Sequence, residues 1–512
     1  MPYLIGIDVG TTGAKALLID EKGRIVARST REYVMHTPRP LWAEQDPADW
    51  WNATVQAIRD LLESSQAKPG EIAGLGLSGQ MHGSVFLDPQ NKVIRPAILW
   101  CDQRTEQQCN WINEKAGRDV VVGETCNPVL TGFTAPKIIW LRQNEPENYA
   151  RVRKVLLPKD YIRFLLTREF ATEVSDASGT SLLNVSKRRW SEKLLDAIEI
   201  PRDFLPPVFE SQEVSARISA ETASLTGLKE GTPVVGGGGD QAAGAVGNGI
   251  VRPGVISVTT GTSGVVFASM ERPEMDPELR LHTFCHAVPG KWHVMGVMLS
   301  AGGSLRWFRD AVASEEKSVA SRLGLDPYEL LTSEAEAIAP GSEGLIFLPY
   351  LTGERTPHAD PAARGVFFGL TLVHGRAHMV RSILEGVAFG LRDSLEIMRG
   401  MGLPIHQVRA SGGGARSRLW RQIQSDVDNC DLVTINVDEG PAFGVALLAA
   451  VGAKIYPTVE SACDATITVV DKTSPDPERA RTYEKLYSVY RSLYPALRQL
   501  FRELPGVSEA EP

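Results

Sequence analysis

Twice along this chain a short apolar run enters a small turn built on Gly and Thr and leaves it as a second apolar run. The first copy is Leu4-Ile5-Gly6-Ile7, then Gly10-Thr11-Thr12-Gly13, then Ala16-Leu17-Leu18-Ile19. The second, just past the midpoint, is Val255-Ile256-Ser257-Val258, Gly261-Thr262-Ser263-Gly264 and Val265-Val266-Phe267-Ala268. One copy per half predicts an internal duplication. Other features pair in the same order. Ile72 to Leu77 runs into the polar turn Ser78 to Gly83, and Val408 to Ser411 runs into Gly412-Gly413-Gly414. Val234-Val235 leads through Gly236 to Gly239 and Asp240 into a small-residue helix, Gln241 to Gly247, and Gly440-Pro441 opens a similar helix over Ala442 to Val451. Strands alternating with helices, with Gly-rich turns at strand ends, predict an α/β architecture with a parallel component in each half. Gly247-Asn248-Gly249 and Pro253-Gly254 place the boundary near 247–255, so the expected domains are 1–247 and 248–512. Helical spacing marks Asp49 to Glu63, and Pro475 to Glu503 reads as an amphipathic terminal helix whose tyrosines are core.

Composition removes several classes of function. Lys and Arg number 54 against 62 Asp and Glu, a net charge of −8, with no basic block, which excludes a nucleic-acid footprint. Six scattered cysteines without a C-x-x-C pair predict a reduced, cytoplasmic protein. The N-terminus has no basic lead before an apolar run, and the longest apolar stretch, Pro441 to Ala453, is too short for a bilayer, so neither a signal peptide nor a membrane partner is expected. There is no H-E-x-x-H zinc pattern, no G-x-S-x-G elbow, no Walker A loop, and no acidic residue placed to complete a dinucleotide fingerprint. The expected partner is a small molecule; the sequence is compatible with a homodimer and does not dictate one.

The chemistry-bearing residues sit on the turns. In Asp8-Val9-Gly10-Thr11-Thr12-Gly13-x-Lys15 a carboxylate at a strand end precedes backbone N–H and hydroxyl donors suited to phosphate, and the acid suits a hydrated Mg2+. The alternative is an ordinary hairpin turn; the second copy, Gly261, Thr262 and Ser263, shifts the balance towards nucleotide binding across a cleft between the halves. Four glycines before Asp240 let another molecule approach the backbone closely. Asp240 itself is either a helix N-cap or a general base over a substrate hydroxyl. Gly412, Gly413 and Gly414 would let a base or ribose lie on the backbone. Gln80, Met81 and His82, the Trp100 to Arg104 turn with Asp102, and Lys159-Asp160 offer the mixed donors and acceptors a polyol needs.

These residues resemble the FGGY carbohydrate kinases over essentially the whole chain. Gly132-Phe133-Thr134-Ala135-Pro136-Lys137 through Asn144 is similar to the first family signature, and Gly365 to Leu370 with His378 to Gly386 to the second. The turns at Asp8 to Gly13 and Gly261 to Gly264 also match the sugar kinase, Hsp70 and actin superfamily. That resemblance implies two duplicated RNase H-like (actin-like ATPase) domains flanking a catalytic cleft. Gln80-Met81-His82-Gly83, Leu157 to Tyr161 and Leu348 to Pro357 resemble the branch that phosphorylates D-xylulose. By resemblance the activity is transfer of the terminal phosphoryl group of ATP to the C5 hydroxyl of D-xylulose. Asp240 is then the catalytic base, and Asp8, with Asp240, holds Mg2+ through water. Met81, His82, Asp102 and Gln241 contact the sugar. Thr11, Thr12, Gly13, Lys15, Gly261, Thr262 and Ser263 cradle phosphates, and Gly412 to Gly414 carry the adenosine. One departure is Gln241, where some members have Asn; its longer side chain is expected to reshape the sugar pocket. The alternatives are another kinase of this family acting on gluconate, ribulose or a related polyol, and a non-kinase ATP-binding module of the actin or chaperone type.

Overall fold

The computed structural model describes residues 2–504; the last eight residues of the expected second domain lie outside that range. Its first half holds strands β1 (Tyr3–Val9), β2 (Gly13–Asp20), β3 (Ile25–Glu32), β4 (Ile72–Gly79), β5 (Val214–Arg217), β6 (Pro233–Val235) and β7 (Gly238–Gly239). With them come α1 (Pro47–Ser65), α2 (Pro158–Thr167) and α3 (Asp240–Gly247). The second half holds β8 (Gly254–Thr260), β9 (Gly264–Met270), β10 (His282–Cys285), β11 (Trp292–Met298), β12 (Ile405–Ser411), β13 (Leu432–Ile435) and β14 (Val469–Thr473). Its principal helices are α4 (Gly302–Ala311), α5 (Arg376–Gly400), α6 (Gly440–Gly452) and α7 (Pro477–Glu503).

The duplication is visible in the sheets. The first runs β3-β2-β1-β4-β6-β5 with β7 beside β4, and the second β10-β11-β9-β8-β12-β13-β14. In each, an antiparallel hairpin is followed by a parallel neighbour: β1 pairs β2 antiparallel and β4 parallel, and β8 pairs β9 antiparallel and β12 parallel. With β5 and β7 set aside in the first half and β10 and β14 in the second, the five remaining strands of each half, counted in chain order, read 3-2-1-4-5, the mixed order of an RNase H-like sheet, and each sheet has an antiparallel edge strand beside the fifth. The chain thus has the two-domain actin-like ATPase fold.

Strand periodicity decides what covers the first sheet. Successive side chains point to opposite faces. Ala16 and Leu18 cluster with Trp50, Ile58 and Leu61 of α1, whereas Leu17 and Ile19 cluster with Phe443 and Leu447 of α6. Helix α6 is apolar all round and buried from Ala442 to Ala450, as expected for a helix enclosed on every side. It belongs by sequence to the second half and packs on the first. The approach is backbone to backbone: a Cβ on Gly6 would lie 1.8 Å from Ala442 O, and one on Gly76 2.1 Å from Val445 O. A Cβ on Gly444 would lie 1.9 Å from Ala243 O of α3. Helices α3 and α6 therefore cross in direct contact and form the floor between the two sheets.

A second junction lies to one side. Asn127 Nδ2 donates to Thr283 O at 2.6 Å, Arg188 Nη1 to Lys291 O at 2.6 Å, and Trp292 Nε1 to Val185 O at 2.8 Å, so the β10–β11 hairpin docks on the first half.

Gly444→Val would force the helix crossing apart and is expected to cost about 1–3 kcal/mol, the usual range for overpacking. A thermal melt should show a lower Tm for that variant. Gly70→Ala, where an added methyl meets nothing within 4 Å, should leave Tm unchanged.

Candidate active site

The face of the first sheet that α6 covers carries Leu4 and Gly6 on β1, and the next residue on that face is Asp8. Because α6 begins at Gly440, Asp8 emerges past its N-terminus rather than beneath it. Strand register places Lys15, Asp8, Ser78 and Gly238 side by side across β2, β1, β4 and β7. Asp8 is half-buried, and its Oδ1 is enclosed with no hydrogen-bond partner among the described residues. Burial pushes its pKa up to about 6 against the opposing pull of the Ser78 hydroxyl and the Lys15 ammonium. Lys15 pairs with Glu439, the residue just before α6, and Arg28 donates to the same carboxylate at 3.0 Å.

Asp240 reaches this row through a passage that admits no side chains. Gly237 has φ +72, and a Cβ there would lie 1.9 Å from Leu77 O; a Cβ on Gly239 would lie 2.9 Å from Met81 Cγ. Gly239 is the N-cap and Asp240 the first helical residue of α3, so the capping role the sequence allows for Asp240 is not the one it takes. Burial, and then the charge of Asp8, raise the Asp240 pKa to about 7. Two carboxyls so close shed their protons in sequence, Asp8 first. A carboxylate titrating near neutrality is suited to accept a hydroxyl proton.

Met81 is buried against Gly239, and His82 follows in a left-handed conformation, φ +67. Two donors hold that turn: Lys137 Nζ at 2.9 Å and Thr134 Oγ1 at 3.1 Å, both on His82 O. His82 Nδ1 lies 2.6 Å from Gly179 O. A carbonyl only accepts, so Nδ1 carries the hydrogen and Nε2 is left as an acceptor. Burial lowers the imidazole's pKa to about 3, which keeps the ring neutral, and it stacks on Phe133 with centroids 4.5 Å apart.

Four residues read as sugar contacts or candidates are committed elsewhere. Gln80, 2% exposed, donates to Gln45 Oε1 at 2.9 Å and accepts from Thr11 Oγ1 at 3.3 Å, so it braces the Gly10–Thr11 turn from below. Asp102 is fully buried; its oxygens take the Ala43 N–H at 2.7 Å, the Arg104 N–H at 3.0 Å and the Arg104 guanidinium at 2.6–3.0 Å. Arg104 is thereby fixed, with Glu44 as a second partner at 2.7 Å. Lys159 is buried among Asp160, Glu173 and Asp176. A polar residue at a strand end points either to the cleft or beneath it, and these point beneath.

The second half supplies the facing wall. Thr259 and Ser411 are register partners, as Asp8 and Ser78 are in the first half, and their hydroxyls lie 2.8 Å apart. The duplicate therefore carries a hydroxyl where the first copy carries the carboxylate. The turn Gly261-Thr262-Ser263 is held against the start of α4, with Gly302 N donating to Gly261 O at 2.8 Å and Gly303 N to Thr262 O at 3.0 Å. Gly412 has φ +80 and packs on Thr260, Gly413 borders open space, and Gly414 lies against Trp420. Between the walls is a cavity of about 270 Å3 that Lys15, Asp240, Gln241, Thr259, Ser411 and Gly412 help line. Gly440 and Pro441 also line it, so the N-termini of α3 and α6 both open onto it, an arrangement that favours anionic groups. Among the described residues no three His, Cys, Asp or Glu side chains gather as a metal site. The orphaned Asp8 Oδ1 and the neighbouring Asp240 carboxyl are hard oxygen donors, and two carboxylates completed by water and phosphate oxygens fit Mg2+.

Sequence reasoning missed part of the wall near His82. His282 of β10 lies 3.3 Å from Asn127 Oδ1, and Phe133, His282 and Phe284 pack around the His82 ring. Arg355 lies close enough that its charge helps hold both imidazoles neutral, after burial. Its side chain makes no hydrogen bond or ion pair among the described residues. Its signal was present in Gly353-Glu354-Arg355-Thr356-Pro357, but nothing in the sequence carries that turn across the cleft.

Two family models match the chain: the N-terminal domain of the FGGY family of carbohydrate kinases over residues 3–247 and its C-terminal domain over 256–453. The chain is 41% identical over 494 residues to the xylulose kinase of Escherichia coli, covering 96% of this chain and 99% of that one. It is 33% identical over 508 residues to the gluconokinase of Bacillus subtilis, covering 98% and 97%. The solved xylulose kinase of Rhodospirillum rubrum superposes with a TM-score of 0.89 at 30% identity, over 98% of this chain and all of that one.

The carboxyl pair has a direct test. In an NMR titration of labelled Asp side chains, Asp240 should show its midpoint near 7, and in Asp8→Asn that midpoint should fall towards the ordinary carboxylate range. Both acids bind protons more tightly folded than unfolded. Their contribution to stability is therefore present below about pH 4 and is lost as pH rises through 6 to 7.

Proposed function

We propose that this chain, which belongs to the FGGY family of carbohydrate kinases, transfers the terminal phosphoryl group of ATP to the C5 hydroxyl of D-xylulose. The observation that carries the reading is the Asp8–Asp240 pair, with Asp240 on the cavity onto which two helix N-termini open and the Met81–His82 turn packed against Gly239; the 41% identity to a xylulose kinase supports the choice of sugar. Asp240 orients the C5 hydroxyl and takes its proton as the new O–P bond forms. The Gly10–Gly13 and Gly261–Ser263 turns position the phosphates, with backbone N–H groups and the ends of α3 and α6 favouring their charge. Mg2+, held by Asp8 and Asp240 through water, neutralises phosphate charge when bound. His82 Nε2 accepts from a sugar hydroxyl, and Met81 and Phe133 supply the apolar wall. Gln241, beside Asp240, reaches the sugar, and Gly412 to Gly414 leave room for the adenosine. Meeting of the two walls excludes water, so that the sugar rather than water receives the phosphoryl group.

A second reading, phosphorylation of gluconate, rests on Arg355. A carboxylated sugar needs a cation, Arg104 and Lys159 are both committed to carboxylates, and Arg355 is not. An ADP-release assay with Mg-ATP against D-xylulose, D-ribulose, L-ribulose, gluconate and glycerol at sub-millimolar sugar separates the readings. Preference for D-xylulose is expected; preference for gluconate overturns the choice of sugar and leaves the Asp240 chemistry standing.

Asp240→Ala should lower kcat by about 10²–10⁴-fold, the range for loss of a general base, while ATP still binds by calorimetry. Near-normal turnover in that variant would falsify the assignment. In the parent, kcat/KM should rise with pH through about 7 as Asp240 loses its proton.

A further inference from the structure

Beneath the Gly236–Gly239 passage lies a cluster that the proposed chemistry leaves unused. Lys159, Asp160 and Arg163 of α2 meet Glu173 and Asp176 of the segment just after it, and all five are 0–1% exposed. Lys159 Nζ lies 2.8 Å from Asp160, 3.3 Å from Asp176 and 3.5 Å from Glu173. Two cations face three carboxyls. Asp176, whose oxygens make no hydrogen bond among the described residues, is held well above the usual carboxylate range by burial. With that proton in place the cluster is neutral, as a buried group of charges must nearly be.

The cluster faces the backbone that leads to Asp240. Arg163 forks onto two successive carbonyls, Val235 O at 2.8 Å and Gly236 O at 2.5 Å, and also reaches Ser215 Oγ at 2.7 Å. Glu173 accepts four hydrogen bonds: Ser175 N at 2.7 Å, Asp176 N at 2.8 Å, Ser175 Oγ at 2.9 Å and Ser211 Oγ at 2.9 Å. Ser175 Oγ in turn accepts the Gly239 N–H at 3.1 Å, one residue before Asp240. Gly236 N donates to Glu213 O and Gly237 N to Ser211 O, both at 2.8 Å. A run of four glycines has more backbone freedom than any other tetrapeptide, and here its polar groups are tied one after another.

We propose that Ser175 and Arg163, fixed by Glu173 and Asp160, are positioning residues that hold the Gly236–Gly239 passage so that Asp240 stands beside Asp8. The proposal deepens the reading of Asp240 as the base and rests on it. Neither residue touches the cavity; both act through the backbone that carries the carboxylate. Freed of these ties, the passage would let Asp240 drift from Asp8 towards water. Its alignment with the sugar hydroxyl would then be lost.

The test uses Ser175→Ala and Arg163→Lys in the full-length protein, with Asp240→Asn in the same sugar-kinase assay. Each positioning variant should lose about tenfold in kcat with KM for Mg-ATP and sugar within about twofold. Amide exchange over 235–241 should quicken in both. A merely structural loss would lower Tm and quicken exchange across the whole chain, with no kcat loss at steady KM, and that result overturns the proposal, as does parental kcat in both folded variants. If Ser175→Ala does not fold, Arg163→Lys carries the same readouts; failure of both to fold also overturns a positioning role. Asp240→Asn keeps the two ideas apart. Its retention of turnover would sink the base assignment, whereas an inactive Asp240→Asn beside unchanged Ser175→Ala and Arg163→Lys would sink only the positioning role.

Discussion

The contact on which the rest of this structure depends is the one between the backbones of α6, α3 and the first sheet. At Gly6, Gly76 and Gly444 there is no room for a methyl group, so helix axis and strand come as close as the main chain allows. That closeness fixes two distances at once. Asp240 is the first residue of α3 and Glu439 directly precedes α6, so the crossing of the two helices sets where the carboxylate and the Lys15–Glu439 pair stand. Periodicity does the remainder, because the strand that offers Leu4 and Gly6 to α6 must offer Asp8 to the space beyond it.

Electrostatics in the cleft follow from that placement. Two carboxyls in a desolvated corner hold their protons more tightly than carboxyls in water, and the second more than the first. The imidazole opposite is kept neutral by the same desolvation, with its hydrogen pinned on Nδ1 by a carbonyl. A carboxyl that titrates near neutrality and an uncharged imidazole therefore follow first from burial, with the charge of Asp8 adding to the former. The second half repeats the geometry with Thr259 in place of the acid, so the carboxylate is present in one copy alone.

Much of this was legible in the sequence because it is local. The paired Gly–Thr turns, the strand into four glycines and the apolar stretch after Pro441 each show their own geometry within a dozen residues, enough to reveal the duplicated fold and to single out Asp8 and Asp240 as candidates. What was illegible is what distance in the chain conceals. Gly6 and Gly444 read as separate small residues until the fold sets α6 on β1. Gln80 and Asp102 sit at strand ends as a polyol contact would, and only the packing of Gln45, Ala43 and Arg104 around them shows that they face inward. His282 comes to the His82 ring from the other domain on the β10–β11 hairpin, and Arg355 on a turn that Thr356 ties to Arg280 and Val297, docking that no local pattern encodes.

The covering of the first sheet also bears on how the chain is made. Its last strand is complete at Gly239, and α1 on one face is synthesised long before that. The opposite face, with Leu17, Ile19 and Val235, stays bare until residues 440–452 have left the ribosome. An N-terminal domain that emerges first thus waits, half-clothed, for a helix encoded near the other end, through the synthesis of six of the second sheet's seven strands. The first sheet thus becomes two-sided only when the second half of the chain supplies its cover.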